Sequence, residues 1–383
     1  MRGSGVRVPL LAPEAKVKKK TADYPSYCGC LRFLCLFARA HMKKTWKYLL
    51  WGFGALVVVA AAFGFWSWRG LTGSPFEISE TTYLYIRPMD TEAAVKQQLK
   101  DVAKAKTLRG WTVARWISDF QPLTGRYAIE PGESMLAVFR KLKHGQQAPV
   151  RFTIPSVRRL EKLAGIMAQK LMLDSADVAF AFSDSIFASN YGYTVATLPA
   201  LFIPNTYELY WNTSLEAFME RMQRENHSFW SAKERNDLAA RMGMSHEEVV
   251  TLASIVDEET ANNGEKPRVA GMYLNRLRIG MPLQADPTVK FALGNDTLRR
   301  ILLEHLRIDN PYNTYRNQGL PPGPIRVPSV AGIDAVLNHE SHDYLYMCAK
   351  EDFSGTHNFA HSYADHLKNA RRYQQALNAR GIR

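Results

Sequence analysis

The spacing of apolar and polar residues changes several times along this chain, and each change marks a different kind of element. The first feature is a run without a charge, Tyr48 to Trp66 (YLLWGFGALVVVAAAFGFW). As a helix its 19 residues reach about 28 Å, enough to cross the hydrocarbon core of a bilayer. Lys43, Lys44 and Lys47 precede it, and aromatic residues mark both ends: Trp46, Tyr48 and Trp51, then Trp66 and Trp68. This pattern predicts one transmembrane helix, with the lysines cytoplasmic and everything after Arg69 outside. A cleaved signal peptide is the rival. The run is long for one, and Phe63, Phe65 and Trp66 crowd the small-residue cluster Ala60–Ala62 that cleavage would need.

Beyond the apolar run the period alternates between two and 3.6 residues. Thr81–Arg87 alternates like a strand, Glu92–Lys106 and Thr112–Phe120 have helical spacing, and Arg126–Ile129 is a short strand. Ser134–Lys143 reads as a capped helix and Val150–Ile154 as a strand. From Pro155 onward helical spacing dominates, over Val157–Leu171, Ser175–Ala188, Leu215–Asn226, Lys233–Met242, Arg268–Ile279 and Val330–Asn338. An aromatic loop, Ile203–Glu208, interrupts them. Tyr344–Ala349 and His357–Ala360 have the spacing of a hairpin across Asp352–Gly355. The fold class predicted is α+β: an N-terminal transmembrane helix, a small α+β module over 76–155, and a mainly helical domain with a small β-hairpin over 156–383.

One helical stretch stands apart, Ser245 to Thr260 (SHEEVVTLASIVDEET). Ser245 and Glu248 form a capping box, and an apolar run follows at once. At about 100° per residue, Leu252, Ala253 and Val256 cluster with Val249 on the inward face. Glu258 falls opposite, in water. Asp257 and Glu259 fall on the two flanks, where a carboxylate can touch apolar neighbours that raise its pKa and still reach a ligand. Taken alone, the segment is an ordinary acidic helix end.

Charge changes little in this picture. The chain of 383 residues carries a formal +13, but eleven Lys/Arg against Glu14 and Asp23 place +9 of it in residues 1–47. The remaining body is only mildly basic, so no nucleic-acid footprint is indicated. Residues 1–41 show no clear period, and Met42-Lys43-Lys44 opens a normal anchor sequence. Residues 1–41 are therefore expected to be a non-native or disordered extension, and 42–69 a cytoplasmic stub and anchor. Cys28, Cys30 and Cys35 precede residue 40 and Cys348 stands alone, so the body must be stable through its core without an intrachain disulfide.

Candidate chemistry lies around the acidic helix end. Tyr273–Leu277, Leu283–Thr288, Pro311–Tyr315, Gly319–Ile325 and Gly355–Phe359 interleave amides, hydroxyls and tyrosines on proline-stiffened loops. Neutral hydrogen-bond partners beside flat apolar faces suit a sugar-binding cleft. Each stretch alone is also ordinary turn chemistry, and Asp286 before Pro287 is suited to cap a helix.

Ala253-Ser254-Ile255-Val256 leading into an acidic cluster, then Asn275-Arg276-Leu277, Leu283–Thr288, Tyr312-Asn313-Thr314-Tyr315 and Gly319-Leu320-Pro321-Pro322-Gly323 resemble the YceG-like family, the endolytic murein transglycosylases. The resemblance runs from about Gly125 to the C-terminus and is strongest over Leu252–Phe359. It implies a single-pass inner-membrane protein that cuts peptidoglycan between N-acetylmuramic acid and N-acetylglucosamine, inside strands, leaving 1,6-anhydro ends. It implies no metal or cofactor, peptidoglycan glycan strands as substrate, and wall-synthesis enzymes as candidate partners. One glutamate would act as acid and then base. The family pattern carries Glu-Lys-Glu where this chain has Asp257-Glu258-Glu259; the helical wheel does not separate the flanking two. Glu259 keeps its identity whereas Asp257 is shorter by one carbon, so Glu259 is the expected acid and Asp257 the second choice. Gln284, Asp286, Asn313, Tyr315, Asn275 and His357 carry over as glycan-contacting or orienting residues. The stretch beginning at Gly125 also resembles a LysM-like module, a small glycan-binding fold, although a spacer would serve equally. Two other classes remain open on sequence alone. One is a membrane-anchored wall-binding scaffold without catalysis; the other is a zinc hydrolase on His339, His342, His357, His361 and His366, which lacks a His-Glu-x-x-His motif.

Overall fold

The computed structural model describes residues 29–295, 298 and 301–381. Most of the expected 1–41 extension, residues 1–28, therefore lies outside the described residues. The chain divides into two units, one ending at Arg69 and one beginning at Gly70. Helix α1 (Gly29–Thr72) forms the first and enters the second. Its segment Trp46–Thr72, 27 residues, is long and apolar enough to cross a membrane, and its large apolar side chains are exposed.

The second unit opens with β1 (Thr82–Ile86), α2 (Glu92–Asp101), α3 (Arg109–Ile117), β2 (Gly125–Ile129) and α4 (Met135–Lys143). β1 and β2 pair antiparallel, from Thr82↔Ile129 to Ile86↔Gly125. Their inward residues Leu84, Ile86, Tyr127 and Ile129 join Leu99, Trp111 and Phe139 in one core. Trp111 meets Phe120 and Phe139 edge-on, with centroids 4.7 and 5.0 Å apart, the favoured aromatic geometry. α2 ends at Asp101, short of the expected Lys106. Lys104 there adopts a left-handed φ of 49°, which turns the chain so that Ala105 bridges Phe76.

The strand at the end of the LysM-like stretch, β3 (Val150–Thr153), finds its partner outside that stretch. It pairs antiparallel with β4 (Thr206–Leu209), so the segment read from sequence as an aromatic loop is partly strand. α5 (Leu160–Lys170), α6 (Ser175–Ser183), α7 (Ser185–Asn190) and α8 (Leu215–Ser231) pack over this pair. The single helix expected over 175–188 is two. Asp184 breaks it, accepting the amide of Ile186 at 2.9 Å as an N-cap.

The last part holds α9 (Arg235–Met242), α10 (His246–Glu259), α11 (Lys266–Arg278), α12 (Asp286–Ala292), α13 (Val330–Leu337), β5 (Tyr346–Ala349), β6 (His357–Ala360) and α14 (Tyr363–Ala379). β5 and β6 form the expected hairpin, Tyr346↔Ala360 to Ala349↔His357. Among the described residues, the turn-rich Met281–Pro328 section holds α12 and a 3₁₀ turn at His305–Arg307. α14 has no counterpart among the expected elements, although Tyr363, Leu367, Ala370, Tyr373 and Leu377 repeat at helical spacing; none of its residues is fully buried.

α10 is the axis of this part. The capping box of Ser245 and Glu248 is formed in both directions, and Val249 through Val256 are all buried. An amphipathic helix with one inward face would leave some of these in water; here neighbours surround the helix. Each fully buried Val, Leu or Ile contributes about 1.5–3 kcal/mol relative to exposure. The polar Ser254 is also fully buried. Its hydroxyl donates to Thr251 O at 2.7 Å and accepts the Ile325 amide at 3.0 Å, which ties the Gly319–Ile325 segment to the helix. Gly323 in that segment is required, since a Cβ there would strike the backbone of Ala196.

Candidate active site

Three consecutive carboxylates end α10, and the structure sends them to three surroundings. Asp257 turns toward α13. Its Oδ2 accepts the Ser329 amide at 2.5 Å, its Oδ1 accepts the Ser329 hydroxyl at 3.0 Å, and Lys266 Nζ stands 2.8 Å from Oδ1. Both ion-pair side chains are buried, 7% exposed for Lys266 and 4% for Asp257. Gly332 presses on the same carboxylate so closely that a Cβ would collide with it. Asp257 thus anchors the first turn of α13.

Glu258 is not in water, contrary to the helical wheel. Arg158 grips it with Nε and Nη2 at 2.8 and 2.7 Å, and Arg326 Nη1 adds a third contact at 2.8 Å. Only 10% of its side chain is exposed. The wheel fails here because the chain before α5 and the segment after Ile325 both fold over the face that an isolated helix would leave open.

Among the described residues no such cation is in contact with Glu259, the last residue of α10. Its Oε1 accepts the hydroxyl of Tyr273, on α11, at 2.8 Å. The residue keeps an opening to solvent, yet protein crowds its carboxylate. Burial is the main force on its proton and pushes the pKa up to about 7, with the Asp286 carboxylate adding to the rise. The Tyr273 hydrogen bond, His357 and Arg276 act the other way by favouring the charged form. The Tyr273 phenol is itself held well above its usual range, by burial and then by Glu259.

Of the remaining expected residues, Asp286, His357 and Tyr315 stand within electrostatic reach of this carboxyl. Asp286 begins α12 but does not cap it; Ala285 is the N-cap and no side chain caps the helix. Instead Asp286 Oδ1 accepts the Tyr315 hydroxyl at 2.6 Å. Tyr315 is raised in pKa by burial first and by Asp286 next, with Glu259 also acting on it. Gln284 is exposed and holds a left-handed φ of 50°, with its amide donating to Thr314 O at 3.1 Å. His357 opens β6. Its amide and Nδ1 meet the two oxygens of Glu265 at 2.7 and 2.9 Å, which leaves Nε2 as its other polar atom.

Asn275 and Asn313 are spent on the scaffold. Asn275 Nδ2 donates to His342 O at 2.6 Å and Tyr344 O at 3.1 Å. Asn313, fully buried, donates to Leu306 O and Ile308 O at 2.9 and 2.8 Å and accepts the Tyr315 amide at 3.1 Å. Each orients a neighbouring segment: Asn275 the approach to β5, Asn313 the loop that carries Tyr315.

A sequence model of the YceG-like family matches residues 84–372, most of the chain and all of the site just described. The chain belongs to the YceG-like family. Among curated YceG-like relatives, an endolytic murein transglycosylase of Bacillus subtilis (strain 168) is 28% identical over 295 residues, covering 73% of this chain and 80% of the relative. One from Streptococcus pneumoniae serotype 2 is 24% identical over 365 residues, covering 84% of this chain and 64% of that longer relative. A crystal structure of a YceG-like protein from Listeria monocytogenes is 26% identical, with a TM-score of 0.49 over 76% of this chain and 99% of that one.

Sequence reasoning missed several residues that build this YceG-like site. Tyr273 and Arg276 lie in a stretch singled out by composition, but their partners are distant in sequence. Arg276 donates to Leu345 O and Leu283 O, both at 2.6 Å, clamping the hairpin and the Gln284 loop to one helix. Thr314 accepts the Ala285 amide at 3.0 Å and shares a hydrogen bond with Thr288 at 2.9 Å, stitching the Asp286 and Tyr315 loops together. Glu265 precedes Pro267 and carried no signal at all. The zinc alternative gains nothing: among the described residues no group of three or more His, Cys, Asp or Glu could hold a metal ion.

Proposed function

We propose that this chain is a membrane-anchored endolytic murein transglycosylase and that Glu259 is its acid and base. One observation carries the reading. Of three adjacent carboxylates, Glu259 alone is held by a neutral phenol, with a pKa raised to about 7, and so can hold a proton when substrate arrives. The loops of Gln284, Asp286, Tyr315 and His357 surround it with polar groups and rings suited to sugar.

In the proposed reaction Glu259 donates its proton to the glycosidic oxygen between N-acetylmuramic acid and N-acetylglucosamine. The C1–O bond breaks and leaves an oxocarbenium-like sugar. The muramyl 6-hydroxyl attacks C1, its proton passes to Glu259, and a 1,6-anhydro ring closes. Water is not consumed, so no second carboxylate is needed to activate it, unlike hydrolytic glycosidases. Tyr273 steadies the carboxylate between steps, Asp286 and Tyr315 hold the sugar as a hydrogen-bonded pair, and Gln284 and His357 contact it, with Glu265 orienting the imidazole.

The Trp46–Thr72 helix serves as the retained anchor, with Gly70 onward outside the cytoplasm, following the Lys43, Lys44 and Lys47 bias. The module over 76–155, whose stretch from Gly125 to the strand at Val150 resembles LysM, serves as the glycan holder. Incubating purified wall with the full chain in detergent tests the reading: new anhydro-ended fragments of many lengths are expected. Reducing ends, or no cleavage, would refute it.

A further inference from the structure

Arg276 leads from the acid to a second group of rings. It follows Tyr273 by three residues on α11, on the same face of the helix and about 4.5 Å along its axis. Tyr273 holds Glu259, and the Arg276 guanidinium stands 5.5 Å from the centre of the Tyr346 ring. Tyr346 opens β5. Beside it stand two side chains from the first turn of α14. His366 stacks on it, with centroids 5.5 Å apart and planes at 27°, and Tyr363 lies at 5.8 Å. Tyr363 and His366 are themselves 6.1 Å apart. One turn of α11 thus links the acid's partner to a cluster of three rings.

The cluster leaves surface open. Tyr363 is 59% exposed, although its backbone is fixed by the Ser362 cap, whose hydroxyl accepts the Asp365 amide at 3.1 Å. His366 Nδ1 is buried with no hydrogen-bond partner among the described residues, which leaves Nε2 as the other polar atom of the ring. Burial and Arg276 hold this imidazole below its usual range, so it is neutral at neutral pH. The charges nearby are committed, Arg276 to the carbonyls of Leu345 and Leu283 and Asp365 to Lys368. Flat rings with a neutral hydrogen-bonding edge suit a pyranose, whose C–H face is apolar and whose rim carries hydroxyls.

A strand cut inside its length carries sugars on both sides of the scissile bond, and contacts remote from that bond supply binding energy to the site. We propose that Tyr346, Tyr363 and His366 form a glycan subsite, in which a sugar of the strand that is not itself cleaved stacks on the Tyr363 ring. The subsite rests on the function proposed above and specifies how that site holds a polymer. Tyr363 then sets how much a longer strand gains over a shorter one.

The test uses the full chain in detergent carrying Glu259→Gln, so that ligand is bound and not cut. Calorimetry compares two probes, a peptide-free tetrasaccharide and a disaccharide of wall glycan. The tetrasaccharide should bind more tightly. Adding Tyr363→Ala should weaken it by about threefold to tenfold, the scale of one aromatic stack, and remove most of its advantage over the disaccharide. Tyr363→Phe keeps the ring and should restore that affinity. With Glu259 intact, Tyr363→Ala should raise KM for wall glycan by the same factor and lower kcat by less. Thermal unfolding should move little, since the side chain is exposed. Unchanged tetrasaccharide affinity in Tyr363→Ala would overturn the proposal; a drop in thermal stability with it would show that the cluster only packs α14. Equal loss in Tyr363→Phe would also overturn it, because the hydroxyl and not the ring face would be the contact. No binding of either probe would refute the subsite together with the function on which it rests. Binding that depends on Tyr363, with no anhydro ends formed by the wild type, would support the subsite and refute only the reaction.

Discussion

Two regions meet at the end of α10 and treat the same functional group in opposite ways. Where α10 packs on α13, Asp257 lies between Lys266 and the first turn of that helix, and Glu258 next to it is held by Arg158 and Arg326. Where α10 faces α11, Glu259 meets one tyrosine hydroxyl, and Arg276, which acts on it from a distance, is committed to backbone carbonyls. Burial is common to all three. A buried carboxylate that meets a cation can tie two segments together; one without a cation rises in pKa and becomes able to exchange a proton. The difference separates scaffold from candidate chemistry within three consecutive residues.

Several measurements would break or sharpen that comparison. The largest effect is expected from Glu259→Gln. Removing a general acid costs typically 10²- to 10⁴-fold in rate, so formation of anhydro ends should fall by at least about a hundredfold while wall binding persists. Activity near wild type in this variant would end the assignment. In the same framework the activity of the wild type should decline as pH rises past about 7, because the acid form is lost.

Next comes Asp257→Asn. It strips a buried Lys266 of its partner, a change worth about 3–5 kcal/mol of stability. Urea unfolding should show that loss, while fully folded protein at low temperature should keep most of its activity. An inactive but equally stable Asp257→Asn protein would reverse the two roles.

Stability against pH should distinguish the carboxylates further. With a folded pKa near 7 against an unfolded value near 4.3, Glu259 makes the folded state bind more protons between those limits. Its contribution is neutral below about 4 and becomes an increasing cost up to pH 7. Glu259→Gln should therefore match wild type at pH 4 and exceed it at pH 8, by at most about 4 kcal/mol. A difference that shrinks with pH would contradict the raised pKa.

Two smaller effects complete the series. Tyr273→Phe removes a hydrogen bond that favours the charged form, so the alkaline limb of activity should move upward, by about half a unit to one unit. A downward move would mean that the phenol stabilises the protonated acid instead. Glu258→Gln should cost only about 1 kcal/mol, because Arg158 is partly exposed and screened by solvent; a larger loss would show that this cluster is a structural tie on the scale of Asp257.

Elements with strong local signals were legible in the sequence. The capping box of α10, the apolar span before Arg69, β1, β2, α4 and the β5–β6 hairpin follow from local patterns of spacing and turn residues. β4 was hidden because its four residues follow a proline and look like an aromatic turn, and because its partner β3 lies over fifty residues earlier. The split between α6 and α7 depends on one side chain, Asp184, choosing to cap. α14 carries a local signal that the expected elements left out, Tyr363, Leu367, Ala370, Tyr373 and Leu377 at helical spacing after a Ser362 cap.

The site divides along the same line. Sequence by itself determined that a carboxylate pair would flank the end of an apolar helix and that amide- and tyrosine-rich loops would follow, because these depend only on helical period and composition. It could not say which carboxylate would meet a cation and which a phenol. That was decided by Lys266, Ser329, Arg158 and Arg326, which tertiary packing brings to Asp257 and Glu258, and by Tyr273, which it brings to Glu259. A pKa depends on what surrounds the group in three dimensions, and adjacent residues on a helix point about 100° apart into different surroundings.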